Sequence, residues 1–152
     1  MGANFAYRQM PPFGPSSLLT VDLGQQYVDF FAYLRNIILH HPGSLFYSFS
    51  KGLGGEMLGT NAYYLFSPLN LILIFFPGKW LTSGVMALTL LRYGLAGMAF
   101  AWLLLKTRLQ SGFRIWAFST AYALNGWMIA NQLNMIWLDA LVILPLIIWG
   151  LL

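Results

Sequence analysis

Hydrophobic and polar positions change their pattern three times along the chain. Residues 1–20 are punctuated by Pro and Gly (PPFGPSS) and predict a loop. From Asp22 onward, Leu23, Tyr27, Phe30, Phe31, Leu34, Ile37 and Ile38 recur at helical spacing, while Gln26, Asp29, Arg35 and Asn36 fall mostly on other faces. That predicts an amphipathic helix over about 22–39, suited to lying in a membrane interface. Asp22 is its expected N-cap, with Gln25 three residues later as in a capping box. His40-His41-Pro42-Gly43 ends it, and Lys51 to Glu56 (KGLGGE) reads as a glycine-rich turn. The next apolar stretch, 63–76, is broken by Pro68. At 1.5 Å per residue it reaches roughly 21 Å, short of a ~30 Å hydrocarbon core, so a re-entrant or interfacial hairpin over 63–79 is expected. Longer runs follow within 80–152 and predict transmembrane helices at about 84–105, 115–131 (shorter, and containing Asn125) and 135–152.

Composition sharpens the class. The 152 residues are 59% hydrophobic and only 8% charged, against about 25% charged in soluble domains. The fold class expected is therefore all-α, a polytopic integral membrane protein. An extracytoplasmic interfacial block, 1–62, precedes about three membrane helices. The net charge of +4 comes from scattered basic residues with one cluster in a short loop. This points to membrane topology, with membrane lipids as partners, and no nucleic-acid motif is present. The absence of cysteine excludes disulfides and thiolate chemistry without identifying a compartment. The N-terminus lacks the apolar core of a signal peptide, and MGANFA has Ala6 where a myristoylation motif needs Ser or Thr. No internal repeat or low-complexity segment is found.

The loop holding Lys106, Arg108 and Arg114 is expected on the cytoplasmic side. The block 1–62 is then outside if 63–76 does not span, and cytoplasmic if it does. The chain stops within LVILPLIIWGLL, a hydrophobic run, and is expected to be a fragment of a longer polytopic protein.

Three of the four acidic residues, Asp22, Asp29 and Glu56, lie in the block ahead of the spans. Asp22 and Asp29 are about two helical turns apart, so two carboxylates at a membrane surface could hold a divalent cation or act as acid and base. Set against this, Asp22 is a plausible N-cap and Asp29 a solvated polar face. The glycine-rich turn could offer backbone N–H groups to a phosphate, but it lacks the GK[ST] ending of a P-loop, and plain turn chemistry is the simpler account. His40 and His41 are adjacent, poor spacing for two ligands on one helix, and read as a helix C-terminal cap. Arg92 lies well inside 84–105, where a charge is costly and is either functional or paired. Asp139 lies in the last run at broadly similar depth, and the two are candidates for an ion pair, with a lipid-phosphate role for Arg92 as the other reading. Most of the aromatic residues need no role beyond interfacial anchoring.

Taken together, PFGPSSLLTVDLGQQYVDFF, FYSFSKGLGGEMLGTNAYYLFSPLNLI and NQLNMIWLDALVILPLI resemble the YfhO family of bacterial membrane proteins, in order and over nearly the whole chain. The resemblance implies a polytopic glycosyltransferase of the C-type membrane fold in the bacterial cell membrane. Its donor would be a sugar on polyprenyl phosphate and its acceptor a cell-surface glycopolymer such as lipoteichoic acid. It further implies an acidic residue in the first extracytoplasmic loop as base or metal ligand, best matched by Asp22, and residues 1–62 on the outer face. Asp29 is the second catalytic candidate, and Arg92 and Arg35 are the candidates for the leaving lipid phosphate. A membrane helix ahead of PFGPSS and further helices after residue 152 belong to the family pattern and are not in this sequence, so activity of the chain alone is not expected. A transporter or flippase subunit for a lipid-linked sugar, or a non-functional fragment, are the alternatives.

Overall fold

The computed structural model describes residues 6–10, 13–16 and 23–152, which fall into two units, one ending at Leu88 and one running from Thr89 to Leu152. The expected N-cap, Asp22, lies outside the described residues. The architecture is all-α apart from one pair of two-residue strands.

In the first unit, a single π-helical turn, Leu23–Tyr27, runs into helix α1, Val28–Leu39. Leu23, Tyr27, Phe31, Leu34 and Ile37 are buried along one stripe, whereas Ile38 is exposed. Aromatic contacts fix what the stripe faces. Tyr64 meets Tyr27 edge-on at 5.0 Å and Phe30 at 4.8 Å between ring centroids, a geometry aromatic quadrupoles favour. Strands β1 (Tyr47–Ser48) and β2 (Gly55–Glu56) pair antiparallel, with Tyr47 opposite Glu56. The KGLGGE turn closes that hairpin.

Helix α2, Leu58–Tyr64, and a 3₁₀ segment, Pro68–Phe75, carry the 63–76 apolar stretch and meet at a 90° bend. The cause is local. Pro68 has no N–H to continue a helix and disfavours helical backbone at Ser67, which is extended. The side chain of buried Asn70 then donates to the carbonyls of Tyr64 and Leu65, satisfying acceptors that the end of α2 leaves open.

Helix α3, Leu81–Lys106, is continuous. With the short 3₁₀ turn before it, Gly78–Lys106 is the one described helix long and apolar enough to cross a membrane; the bent pair would be a second if counted as one broken span. The run 115–131 is not one helix. It divides into α4, Phe113–Ala123, and α5, Gly126–Ala130. Asn125 makes the break from both sides: its Oδ1 accepts from the Met128 N–H at 2.9 Å, and its Nδ2 donates to the Tyr122 carbonyl at 2.6 Å. One amide therefore caps the start of α5 and the end of α4.

Helix α6, Met135–Leu151, is apolar and 17 residues long, with Pro145 inside it. A proline within a helix leaves the carbonyl four residues back without its donor. Here that carbonyl is Leu141, and the Tyr122 hydroxyl donates to it at 2.8 Å. The Tyr122 ring stacks flat on Phe100 at 4.4 Å. Around this contact Tyr93, Ala96, Met128 and Leu138 form the buried cluster of the second unit. Ile143, Leu144, Ile147 and Ile148 of α6 stay exposed, an apolar face suited to hydrocarbon.

Candidate functional site

Two constellations stand out, one in each unit. The first is a pocket of about 370 Å³ whose mainly apolar surface carries charged and hydroxyl groups; it is lined by Asp29, Phe30, Tyr33, Ser48, Ser50, Lys51, Met57 and Thr60. Asp29 stands in the first turn of α1, on the exposed side opposite the buried stripe. Tyr33, one turn on, has its hydroxyl fixed by donating to the Ser44 carbonyl at 2.6 Å. The hairpin brings in Lys51 from a turn built on glycines. Gly52 and Gly54 have φ of 61° and 108°, and a Cβ at Gly54 would lie 2.5 Å from the Tyr47 hydroxyl. The Lys51 ammonium donates to the Glu56 carbonyl at 2.8 Å and to the Thr60 hydroxyl at 3.4 Å. An ammonium has three donors, so one remains for a ligand. Below it, Glu56 Oε1 accepts from the Gly59 N–H at 2.9 Å, and Asn61 holds the Leu45 carbonyl at 2.6 Å. The loop and α2 thus form a fixed floor.

The pocket brings a carboxylate and an ammonium to one surface, with hydroxyls and two aromatic rings. Such a set can take a proton from a hydroxyl, neutralise a phosphate and pack against a sugar. Among the described residues it offers a divalent cation one carboxylate, beside an ammonium, and no group of three potential metal ligands. His40 and His41 are exposed, with rings 6.4 Å apart, and His40 closes α1 through its backbone N–H to Asn36 and Ile37. Arg35 does not line the pocket; its Nε donates to the Ile74 carbonyl at 3.2 Å and ties α1 to the 3₁₀ segment.

The second constellation is an ion pair in the second unit. Arg92, fully buried, places Nε 2.6 Å from Asp139 Oδ1, and Nη2 lies 3.5 Å from Oδ2; the carboxylate side chain is 14% exposed. The two-pronged approach matches a guanidinium to a carboxylate. One residue further along, the Tyr93 hydroxyl donates to the Met128 carbonyl at 3.0 Å. Arg92 is therefore a brace between α3 and α6.

Comparison with known proteins adds one finding. The model of the bacterial membrane protein YfhO matches residues 1–152. The chain belongs to the YfhO family. No curated protein and no solved structure matches it. Membership makes it a membrane protein, in keeping with the apolar Gly78–Lys106 helix. Of the site residues named from the sequence of this YfhO-family chain, Asp29 lines the 370 Å³ pocket, Arg92 and Asp139 meet each other, Arg35 is engaged by backbone, and Asp22 lies outside the described residues. Lys51, Tyr33 and Thr60 are the pocket residues that sequence reasoning missed. The signal for Lys51 was its place in the glycine-rich turn, where only backbone N–H groups had been considered.

Proposed function

We propose that this chain carries the sugar-transfer pocket of a membrane glycosyltransferase, which moves a sugar from a polyprenyl-phosphate donor to a hydroxyl of a cell-surface glycopolymer such as lipoteichoic acid, on the outer face of the bacterial cell membrane. The observation that carries this reading is the meeting of Asp29 and Lys51 in one pocket with aromatic and hydroxyl side chains. The acceptor hydroxyl would give its proton to a carboxylate as its oxygen bonds to the anomeric carbon. The bond from that carbon to the phosphate oxygen breaks, and the phosphate departs with its electron pair. Asp29 supplies the carboxylate within the pocket; Asp22 is the other, family-implied candidate. Lys51 meets the charge that grows on the leaving phosphate. That role passes to Lys51 because Arg92 is paired with Asp139 and Arg35 does not line the pocket.

The test is sugar transfer in membranes given an external polyprenyl-phosphate sugar, with the variants placed in a full-length family member. Asp29→Asn and Lys51→Met are each expected to lower transfer by 10²-fold or more, on the order of one acid–base or electrostatic contribution. Asp22→Asn measures the family-implied carboxylate in the same assay. Wild-type rates for both Asp29→Asn and Lys51→Met would sink the pocket as the site of transfer. A transporter for a lipid-linked sugar, with Arg92 and Asp139 along its path, is less well supported, because full burial and a 2.6 Å contact describe a closed brace.

A further inference from the structure

The second unit has a groove that neither constellation uses. It has a volume of about 720 Å³, within the range of ligand pockets (~300–1,000 Å³). Its walls are mostly apolar, and small residues of α3, Gly94, Gly97 and Ala101, line it. Along α3 the lining runs from Leu90 to Leu105, roughly 22 Å at 1.5 Å per residue. One leaflet of a ~30 Å hydrocarbon core is about 15 Å deep, so the groove takes one extended acyl chain with length to spare.

Two further observations say what kind of molecule fits. The groove ends at Leu105 and Gly112, where the chain turns from α3 into α4. That turn carries Lys106, Arg108 and Arg114, all exposed, and among the described residues none of the three is in an ion pair. Lys106 also sits 5.9 Å over the Trp102 ring, an amphipathic pairing typical of a headgroup level. Inside the groove, Ser119 is nine-tenths buried and its Oγ has no hydrogen-bond partner among the described residues. It lies seven residues from Gly112, about 10 Å along α4. A hydroxyl at that depth is at the level of the acceptors on the chain side of a phosphate, the ester carbonyls.

We propose that this groove binds an anionic bilayer phospholipid. One acyl chain lies along Gly94, Gly97 and Ala101, the phosphate sits at Lys106, Arg108 and Arg114, and an ester carbonyl accepts from Ser119. By the charge of its loop the site belongs to the cytoplasmic leaflet, so it is independent of the sugar-transfer pocket proposed for the outer face.

The experiment uses the purified chain in neutral detergent, offered equal amounts of phosphatidylglycerol and phosphatidylcholine with identical chains. Bound lipid is counted by native mass spectrometry. Each basic residue at a headgroup strengthens anionic-lipid binding roughly fivefold, so three should favour phosphatidylglycerol by about a hundredfold. The triple variant Lys106→Gln, Arg108→Gln, Arg114→Gln should bring phosphatidylglycerol down to the phosphatidylcholine level. Ser119→Ala should weaken it about threefold, the worth of one hydrogen bond. Gly94→Phe should strip both lipids, because Gly94 lines the groove and no atom lies within 4 Å of a Cβ built there, so a ring has room to fill it. Equal retention of the two lipids by the unaltered chain would overturn the proposal. So would undiminished phosphatidylglycerol on a folded Gly94→Phe variant, or a lipid-free chain whose oligomer mass Gly94→Phe changes, since a second helix would then be the occupant. If Gly94→Phe does not fold, the triple variant, confined to an exposed loop, decides alone.

Discussion

Replacing Asp139 with Asn should cost the second unit about 3–5 kcal/mol, the range for removing one partner of a buried ion pair. The size follows from the surroundings of Arg92. Its guanidinium is fully buried, and among the described residues Asp139 is its ion-pair partner, at 2.6 Å. Charge centres roughly 4 Å apart attract by ~4 kcal/mol at an effective dielectric of 20. Much of that is spent against the desolvation of both ions, so the pair contributes little net stability. Asparagine removes the attraction and leaves the desolvation. The double variant Arg92→Leu, Asp139→Leu should therefore lie close to the unaltered chain, above either single change. The charge-swapped pair, Arg92→Asp with Asp139→Arg, should recover part of what each swap loses alone. The assay is reversible unfolding in mixed micelles followed by tryptophan fluorescence, with each variant at the same micelle composition. A cost below about 1 kcal/mol for Asp139→Asn would refute the reasoning, because intramembrane polar contacts without net charge already reach that size. A double swap no more stable than either single would refute the pairing itself.

Tyr122→Phe should destabilise by about 1–3 kcal/mol, since it strands the Leu141 carbonyl. In a Pro145→Ala background, where the helix can supply its own N–H, the same change should cost much less, and equal costs in both backgrounds would exclude the link. Asn125→Ala should cost about 1–2 kcal/mol through the lost caps, and amide exchange over 126–130 should speed up. Asn125→Asp should keep the bond to Met128 N–H and lose the one to Tyr122, so protection should survive in α5 only. Gly54→Ala should deform the hairpin and lower transfer in the membrane assay, whereas Gly52→Asn, with open space around it, should leave transfer near wild type.

The amphipathic helix was legible because burial acts on spacing. Leu23, Tyr27, Phe31, Leu34 and Ile37 share a face in any helix, and all five are buried. The division of 115–131 was not legible in the same way. In an apolar run Asn125 counts as one polar residue, and its capping in both directions emerges only once the backbone bends around it. The Asp29 pocket was half visible. Asp29 could be named as an acid on a solvated face, but Lys51 comes to the same pocket through the β1–β2 pairing, which no local pattern announces. The Tyr122 contact needs two facts from different helices, a missing N–H at Pro145 and a ring stacked on Phe100. Residues 23–39 were thus read from periodicity alone, whereas both sites depend on contacts distant in sequence.

Helix α3 is 26 residues long, about 39 Å, where the hydrocarbon it would cross is only ~30 Å thick. Such hydrophobic mismatch leaves the helix two courses: to tilt by some 40°, or to stand about six residues proud of the bilayer. Lys106 over Trp102 marks one end as an anchor at the water boundary. Arg92 is then about 21 Å in from that anchor along the helix axis. Upright, it would lie beyond the midplane; tilted, it comes close to the centre. The orientation of α3 therefore sets how dry the surroundings of the Arg92–Asp139 pair are, and a thinner or thicker bilayer would move that pair through the dielectric gradient without breaking a single contact.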